Sequence, residues 1–125
     1  MYIEITNTPR DYAWGSTSAI AQLLGRTPSG APEAELWLGA HPGSPARLVG
    51  REGTLPDVVH GRLPFLLKVL AAAQPLSLQA HPTPEQAEAG FAREEAAGIP
   101  IDAPERDYKD PFHKPELIYA LSDPF

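Results

Sequence analysis

The sequence predicts a mainly β fold with helical excursions, and three observations carry that reading. Prolines number 15 and glycines 10 among 125 residues, a fifth of the chain and well above the average share of each. Long helices cannot carry proline at that density, because each one removes a backbone donor and crowds the preceding turn. Short β-branched or alternating stretches, such as Tyr2-Ile3-Glu4-Ile5-Thr6, lie between turn signals. The apolar centre, Phe65-Leu66-Leu67-Lys68-Val69-Leu70, breaks at Gln74-Pro75 and resumes as an alternating segment. A pair of buried strands fits that pattern better than one helix.

The elements follow in order. The first strand ends at Asn7-Thr8-Pro9, and Thr17 to Leu24 reads as a short helix closed by Gly25. Glu35-Leu36-Trp37-Leu38-Gly39 reads as a strand that stops at His41-Pro42-Gly43, since proline and glycine both break a ladder. Arg47-Leu48-Val49 reads as another strand before the turn at Gly50 to Gly53. Thr83-Pro84-Glu85-Gln86 is a strong helix start: Thr83 caps, Pro84 suits the first helical position, and Gln86 closes a capping box. Gly98-Ile99-Pro100 stops that helix, and Glu116 to Leu121 reads as a last strand.

Composition narrows the function. A length of 125 residues fits one domain with a real core. Sixteen acidic against ten basic side chains give a formal charge of -6, which speaks against a nucleic-acid binder. No apolar run reaches membrane-spanning length, and the first residues lack the basic and apolar regions of a signal peptide. The chain has no cysteine, which excludes disulfides and thiolate metal sites and fits a cytoplasmic protein. A transition metal would need nitrogen and oxygen ligands.

Two segments hold the candidate chemistry. In Leu76-Ser77-Leu78-Gln79-Ala80-His81-Pro82, strand alternation would turn Leu76, Leu78 and Ala80 to a core and Ser77, Gln79 and His81 to the other face. Gln79 and His81 then offer an oxygen and a nitrogen, half of a zinc site. On spacing alone an ordinary amphipathic strand accounts for the same pattern and stands ahead. In Phe112-His113-Lys114-Pro115-Glu116-Leu117, Glu116 offers a carboxylate and Lys114 a fixed cation, against the plainer reading of a surface ion pair. Trp14 and Trp37 read as packing residues or pocket walls, His41 as a loop histidine bonded to backbone, and His60 has no role. Glu85, Glu88, Glu94 and Glu95 read as the solvated face of the capped helix. There is no glycine-rich phosphate loop and no nucleophile elbow.

Five blocks in order resemble type I mannose-6-phosphate isomerase, the phosphomannose isomerase family. They are Tyr12 to Ser16 (YAWGS), Ala34 to Pro42 (AELWLGAHP), Pro64 to Leu70 (PFLLKVL), Leu76 to Pro82 (LSLQAHP) and His113 to Leu117 (HKPEL). Together they are far more specific than any one block. The resemblance implies a zinc-dependent isomerase interconverting mannose 6-phosphate and fructose 6-phosphate. It also implies part of a cupin-like jelly-roll or β-barrel, incomplete here. It places zinc ligands on Gln79, His81 and Glu116, and substrate-lining positions on Ser77, Lys114 and Trp14.

The family's fourth ligand, a histidine, and an arginine implicated in catalysis lie further along its longer chains and have no counterpart here. No residue is assigned as the proton-transfer base. Residues 1–125 are therefore expected to be the N-terminal portion of a zinc-dependent catalytic domain, without a second domain and ending at Asp123-Pro124-Phe125 with no stop signal of their own. The expected partner is a small sugar phosphate, with no nucleic acid and no membrane. The isolated chain is expected to be inactive and to self-associate through open strand edges. The alternative is a stand-alone cupin-like module that binds metal or sugar phosphate without isomerase activity. Phe112 is a departure, since many family members carry asparagine before His-Lys-Pro-Glu.

Overall fold

Strands β2 (Glu35–Leu38) and β4 (Leu67–Leu70) pair antiparallel, with Glu35 opposite Leu70, Trp37 opposite Lys68 and Leu38 opposite Leu67. The computed structural model describes residues 2–60 and 62–122, so Asp123-Pro124-Phe125 lies outside them. The chain divides into two units, residues 1–77 and 78–125.

In the first unit, β1 (Ile5–Thr6) pairs antiparallel with β3 (Arg47–Leu48), and α1 (Ala19–Leu23) lies between β1 and β2 in sequence. Both strands are shorter than the sequence suggests. A single turn of 3-10 helix, Leu55–Asp57, follows β3 and carries a capping box between Thr54 and Asp57. Isolated bridges extend the β2–β4 pair: Arg10 meets Glu35, Ser16 meets Glu33 and Gly15 meets Ala72. At Gly15 the backbones come so close that a Cβ would stand 2.6 Å from the Cα and nitrogen of Ala34. Only glycine fits that crossing. Ile20, Ala21, Ala34, Leu36, Ala46 and Leu48 form the core.

In the second unit, α2 (Pro84–Ala96) starts where the sequence places it. The Thr83 hydroxyl accepts from the backbone N–H of Gln86, and the Gln86 amide oxygen accepts from the N–H of Thr83. A cap of this kind stabilises a helix by about 1 kcal/mol. Gly98, at φ +70°, ends the helix, and its N–H bonds to the Glu95 carbonyl. The buried stripe of α2 is Ala87, Gly90 and Glu94.

Two expectations need correction. Residues 76–81 and 116–121 are not strands, and the side chains expected to face a core are exposed. Alternation fixes which residues share a face once the backbone is extended; a strand also needs a ladder partner. Neither segment makes backbone bonds to another strand among the described residues. The second correction concerns Glu94, which is buried against Arg106 and is not part of a solvated face. The described strands form two two-stranded sheets and do not close into a barrel.

Candidate functional site

In the second unit, the structure brings His81 and Glu116 together. The His81 Nε2 lies 3.5 Å from Glu116 Oε1, and both side chains are partly open to solvent. That separation is long for a hydrogen bond. It is close to the edge of a tetrahedron built on metal–ligand bonds near 2.1 Å, which is about 3.4 Å. One imidazole nitrogen and one carboxylate oxygen so placed fit a zinc ion.

Gln79 lies two residues upstream on the same exposed segment, and its side chain makes no hydrogen bond among the described residues. No group of three His, Cys, Asp or Glu side chains with metal-binding placement occurs among the described residues. The donor set held by ionisable side chains is therefore the His81–Glu116 pair, with an amide oxygen at Gln79 available on the adjoining segment.

The path from His81 into α2 is short. Pro82 and Thr83 separate the imidazole from the first helical turn, and the Thr83 capping box fixes the direction in which the chain leaves. The Glu85 carboxyl sits below the ordinary glutamate range. Its own backbone N–H and the Thr83 hydroxyl are the main causes, and the charge of His113 adds a smaller contribution.

Lys114 pairs with Asp110 at 2.9 Å, and half of its side chain is exposed. Asp110 also accepts the N–H of Phe112 at 3.0 Å, so one carboxylate ties the stretch ahead of Glu116. The plainer reading of Lys114, a surface ion pair, is thus realised. It leaves the ammonium open to a further anion.

In the first unit, Trp14 is half-buried and stacks on Tyr12, with ring centroids 5.7 Å apart. Ser77 is exposed. His41 behaves as the sequence suggests: its Nδ1 accepts the N–H of Gly43 at 3.0 Å, and its ring meets Trp37 edge-on.

A cluster that sequence reasoning passed over lies beside these residues. Alternation along β2 puts Glu35 and Trp37 on one face, and the β2–β4 register adds Lys68 opposite Trp37. The indole N–H of Trp37 donates to Glu35 Oε2 at 2.7 Å, Lys68 Nζ lies 4.0 Å from Glu35 Oε1, and the Arg10 guanidinium stands 5.6 Å from the Trp37 ring centroid. The available signal was a lone lysine inside the apolar run 65–70.

Comparison with known proteins identifies the family. The chain matches the family described as phosphomannose isomerase type I, catalytic domain, over residues 2–60 and 50–125. It is 50% identical to the mannose-6-phosphate isomerase of Escherichia coli (strain K12), over 95% of this chain and 35% of that protein. The human mannose-6-phosphate isomerase is 35% identical, over 90% of this chain and 31% of that protein. A crystal structure of the Salmonella typhimurium enzyme, bound to substrate and a zinc atom, superposes with a TM-score of 0.80 at 46% identity. That superposition covers 90% of this chain and 33% of the other. The chain thus spans about a third of the length of the curated relatives it matches. It belongs to the phosphomannose isomerase type I family, through that family's catalytic domain.

Proposed function

We propose that this chain supplies the N-terminal portion of a zinc-dependent mannose-6-phosphate isomerase, interconverting mannose 6-phosphate and fructose 6-phosphate. The observation that carries the reading is the 3.5 Å approach of His81 Nε2 to Glu116 Oε1. The same residues sit in two of the five family blocks, and relatives crystallise with zinc and with substrate. Gln79, His81 and Glu116 would hold the metal. Zinc held there would supply Lewis-acid polarisation of the sugar carbonyl.

The chain's own residues do the rest of the work in this reading. Glu116 would offer a carboxylate oxygen and His81 a ring nitrogen. Lys114, held by Asp110, offers a cation to the anionic sugar phosphate. Ser77 and Trp14 are read as further substrate contacts, a hydroxyl for sugar hydroxyls and an apolar ring face for the carbon skeleton. Residues 1–125 are read as part of one cupin-like catalytic domain. A cytoplasmic location accords with the absence of cysteine, and no helix of the described residues is long and apolar enough to cross a membrane.

With three donors assigned and no fourth among the described residues, the purified 125-residue chain is expected to bind zinc weakly and to turn over no sugar phosphate. The test is zinc stoichiometry and isomerase turnover on the purified 125-residue chain, with Glu116→Ala as control. Weak zinc that Glu116→Ala abolishes, without turnover, supports the reading. Tight one-to-one zinc with turnover lost in Glu116→Ala would instead make this chain a complete enzyme. Zinc binding indifferent to Glu116→Ala would remove the site.

A further inference from the structure

Arg106 engages partners with all three of its guanidinium nitrogens, and its role is not explained by the metal site alone. Its guanidinium is fully buried. Nη1 donates to the Ile99 carbonyl at 2.6 Å, Nε donates to the Tyr108 carbonyl at 2.7 Å, and Nη2 donates to Glu95 at 2.7 Å. Nε also lies 3.0 Å from Glu94 Oε2, and the Phe91 ring lies 5.1 Å from the guanidinium carbon. Glu94 completes the arrangement from α2: its carboxylate accepts the backbone N–H groups of Tyr108 at 2.8 Å and Asp107 at 3.3 Å. The Tyr108 ring lies directly against Gly90, where any Cβ would clash with it.

A buried ion pair is a poor way to add stability. Desolvating both charges offsets most of their attraction, and well-packed apolar residues of the same volume often do as well or better. What the pair does deliver is geometry. Besides its bonds to the glutamates, Arg106 bonds two main-chain carbonyls, and Glu94 takes two main-chain N–H groups, so the backbone at residues 99 and 106–108 is fixed against one side of α2. Asp110 then ties Phe112 and Lys114, and Glu116 follows two residues later. The other metal donor, His81, is fixed from the opposite end of the same helix through the Thr83 cap.

We propose that the buried Arg106–Glu94 pair is a positioning device for the metal site, using α2 as a splint that holds the Glu116 segment in register with His81. The proposal rests on the reading of His81 and Glu116 as zinc ligands. Arg106 and Glu94 touch neither metal nor substrate; they act through Tyr108 and Asp110 on Glu116.

Two variants separate positioning from stability. Arg106→Lys keeps the charge but loses the fork that reaches Ile99 and Tyr108 together. The double variant Glu94→Met/Arg106→Met replaces the pair by apolar volume and leaves no unpaired buried charge. Each is compared with the wild-type chain by helix content in circular dichroism, by the NOE between the His81 ring and the Glu116 side chain without metal, and by zinc affinity corrected for the folded fraction.

The expected result is retained α2 helix, loss of the NOE and zinc binding weakened at least tenfold in both variants. An NOE retained in either folded variant, or zinc affinity within twofold of wild type, would overturn the proposal. Loss of α2 in both variants would overturn it too, because the pair would then be holding the fold and not setting the site. If the wild-type chain shows the NOE but binds no zinc, the zinc reading fails and the NOE alone decides the positioning role. A wild-type chain lacking the NOE refutes the positioning.

Discussion

The indole N–H of Trp37 donates to Glu35 at 2.7 Å across two positions of one strand face. Glu35 is buried, and Lys68 from the facing strand approaches its other oxygen. Removing the carboxylate leaves a half-buried indole donor without its partner. Glu35→Ala is therefore expected to cost about 1–3 kcal/mol, the penalty of an unsatisfied buried donor. Glu35→Gln keeps an acceptor oxygen and should lose less. Urea melts monitored by tryptophan fluorescence measure both, and equal stability for wild type and Glu35→Ala would contradict the role given to this bond.

Gly15 carries a different kind of constraint. Its missing Cβ would meet the backbone of Ala34, which cannot yield as the end of a flexible side chain can. Gly15→Ala should push the Trp14–Ser16 segment away from Ala34 and so disturb its other attachments, the Ser16 N–H bond to Ala71 and the Ala73 N–H bond to Trp14. The expected loss is about 1–3 kcal/mol or more, the usual cost of overpacking. Amide exchange gives the local signature: the Ser16 and Ala73 N–H groups should lose protection before those of α2. Unchanged protection at both would show that the backbones can separate freely.

Much of the secondary structure was legible because its signals are local. The Thr83-Pro84-Glu85-Gln86 start and the Gly98 stop of α2 depend on residues within one turn, and the structure realises both. β2 and β4 were each legible as apolar runs bounded by turn signals, but their pairing was not. The run 65–70 reads as one of a pair of buried strands with the segment after Gln74-Pro75, whereas it pairs with β2 and leaves Leu67 and Leu70 exposed. Residues 76–81 and 116–121 misled because alternation says nothing about whether a partner backbone is present. Glu94 misled because its neutralising cation comes from beyond the Gly98-Ile99-Pro100 turn, and no helical spacing relates the two. The approach of His81 to Glu116 lies in the same class. Spacing along the chain left it open, and only the order of family blocks pointed to it.

The 3-10 turn after β3 should respond to acid. The Asp57 carboxyl is held below the ordinary aspartate value, first by the backbone N–H of Thr54 at 2.6 Å and then by the Thr54 hydroxyl at 2.9 Å. A lowered folded-state pKa means the unfolded chain binds the proton more readily. The cap therefore contributes its full stability above the unfolded pKa, and that contribution fades as pH falls through the lower, folded value. Side-chain carboxyl NMR should place the Asp57 midpoint below that of an unstructured aspartate. Asp57→Asn should remove the acid dependence of the Thr54 amide shift. A midpoint at the ordinary value would mean that the cap does not persist in solution.

Leu78 and Leu117 stand fully open, at 103% and 99% exposure, with Tyr119 and Leu121 also largely exposed. They lie on two segments whose backbones carry no ladder among the described residues, so apolar side chains and unladdered backbone occur together. That combination favours strand-like pairing with another chain. Each large side chain covered in such a contact contributes about 1.5–3 kcal/mol at most, enough for a few together to offset the entropy of association. The purified chain should therefore sediment with a mass that rises with concentration. Leu117→Glu should lower that tendency by placing a charge in the contact, while leaving the helix content of α2 unchanged. A wild-type chain that stays monomeric through the micromolar range and melts in one sharp transition would show that these side chains are covered within the chain itself.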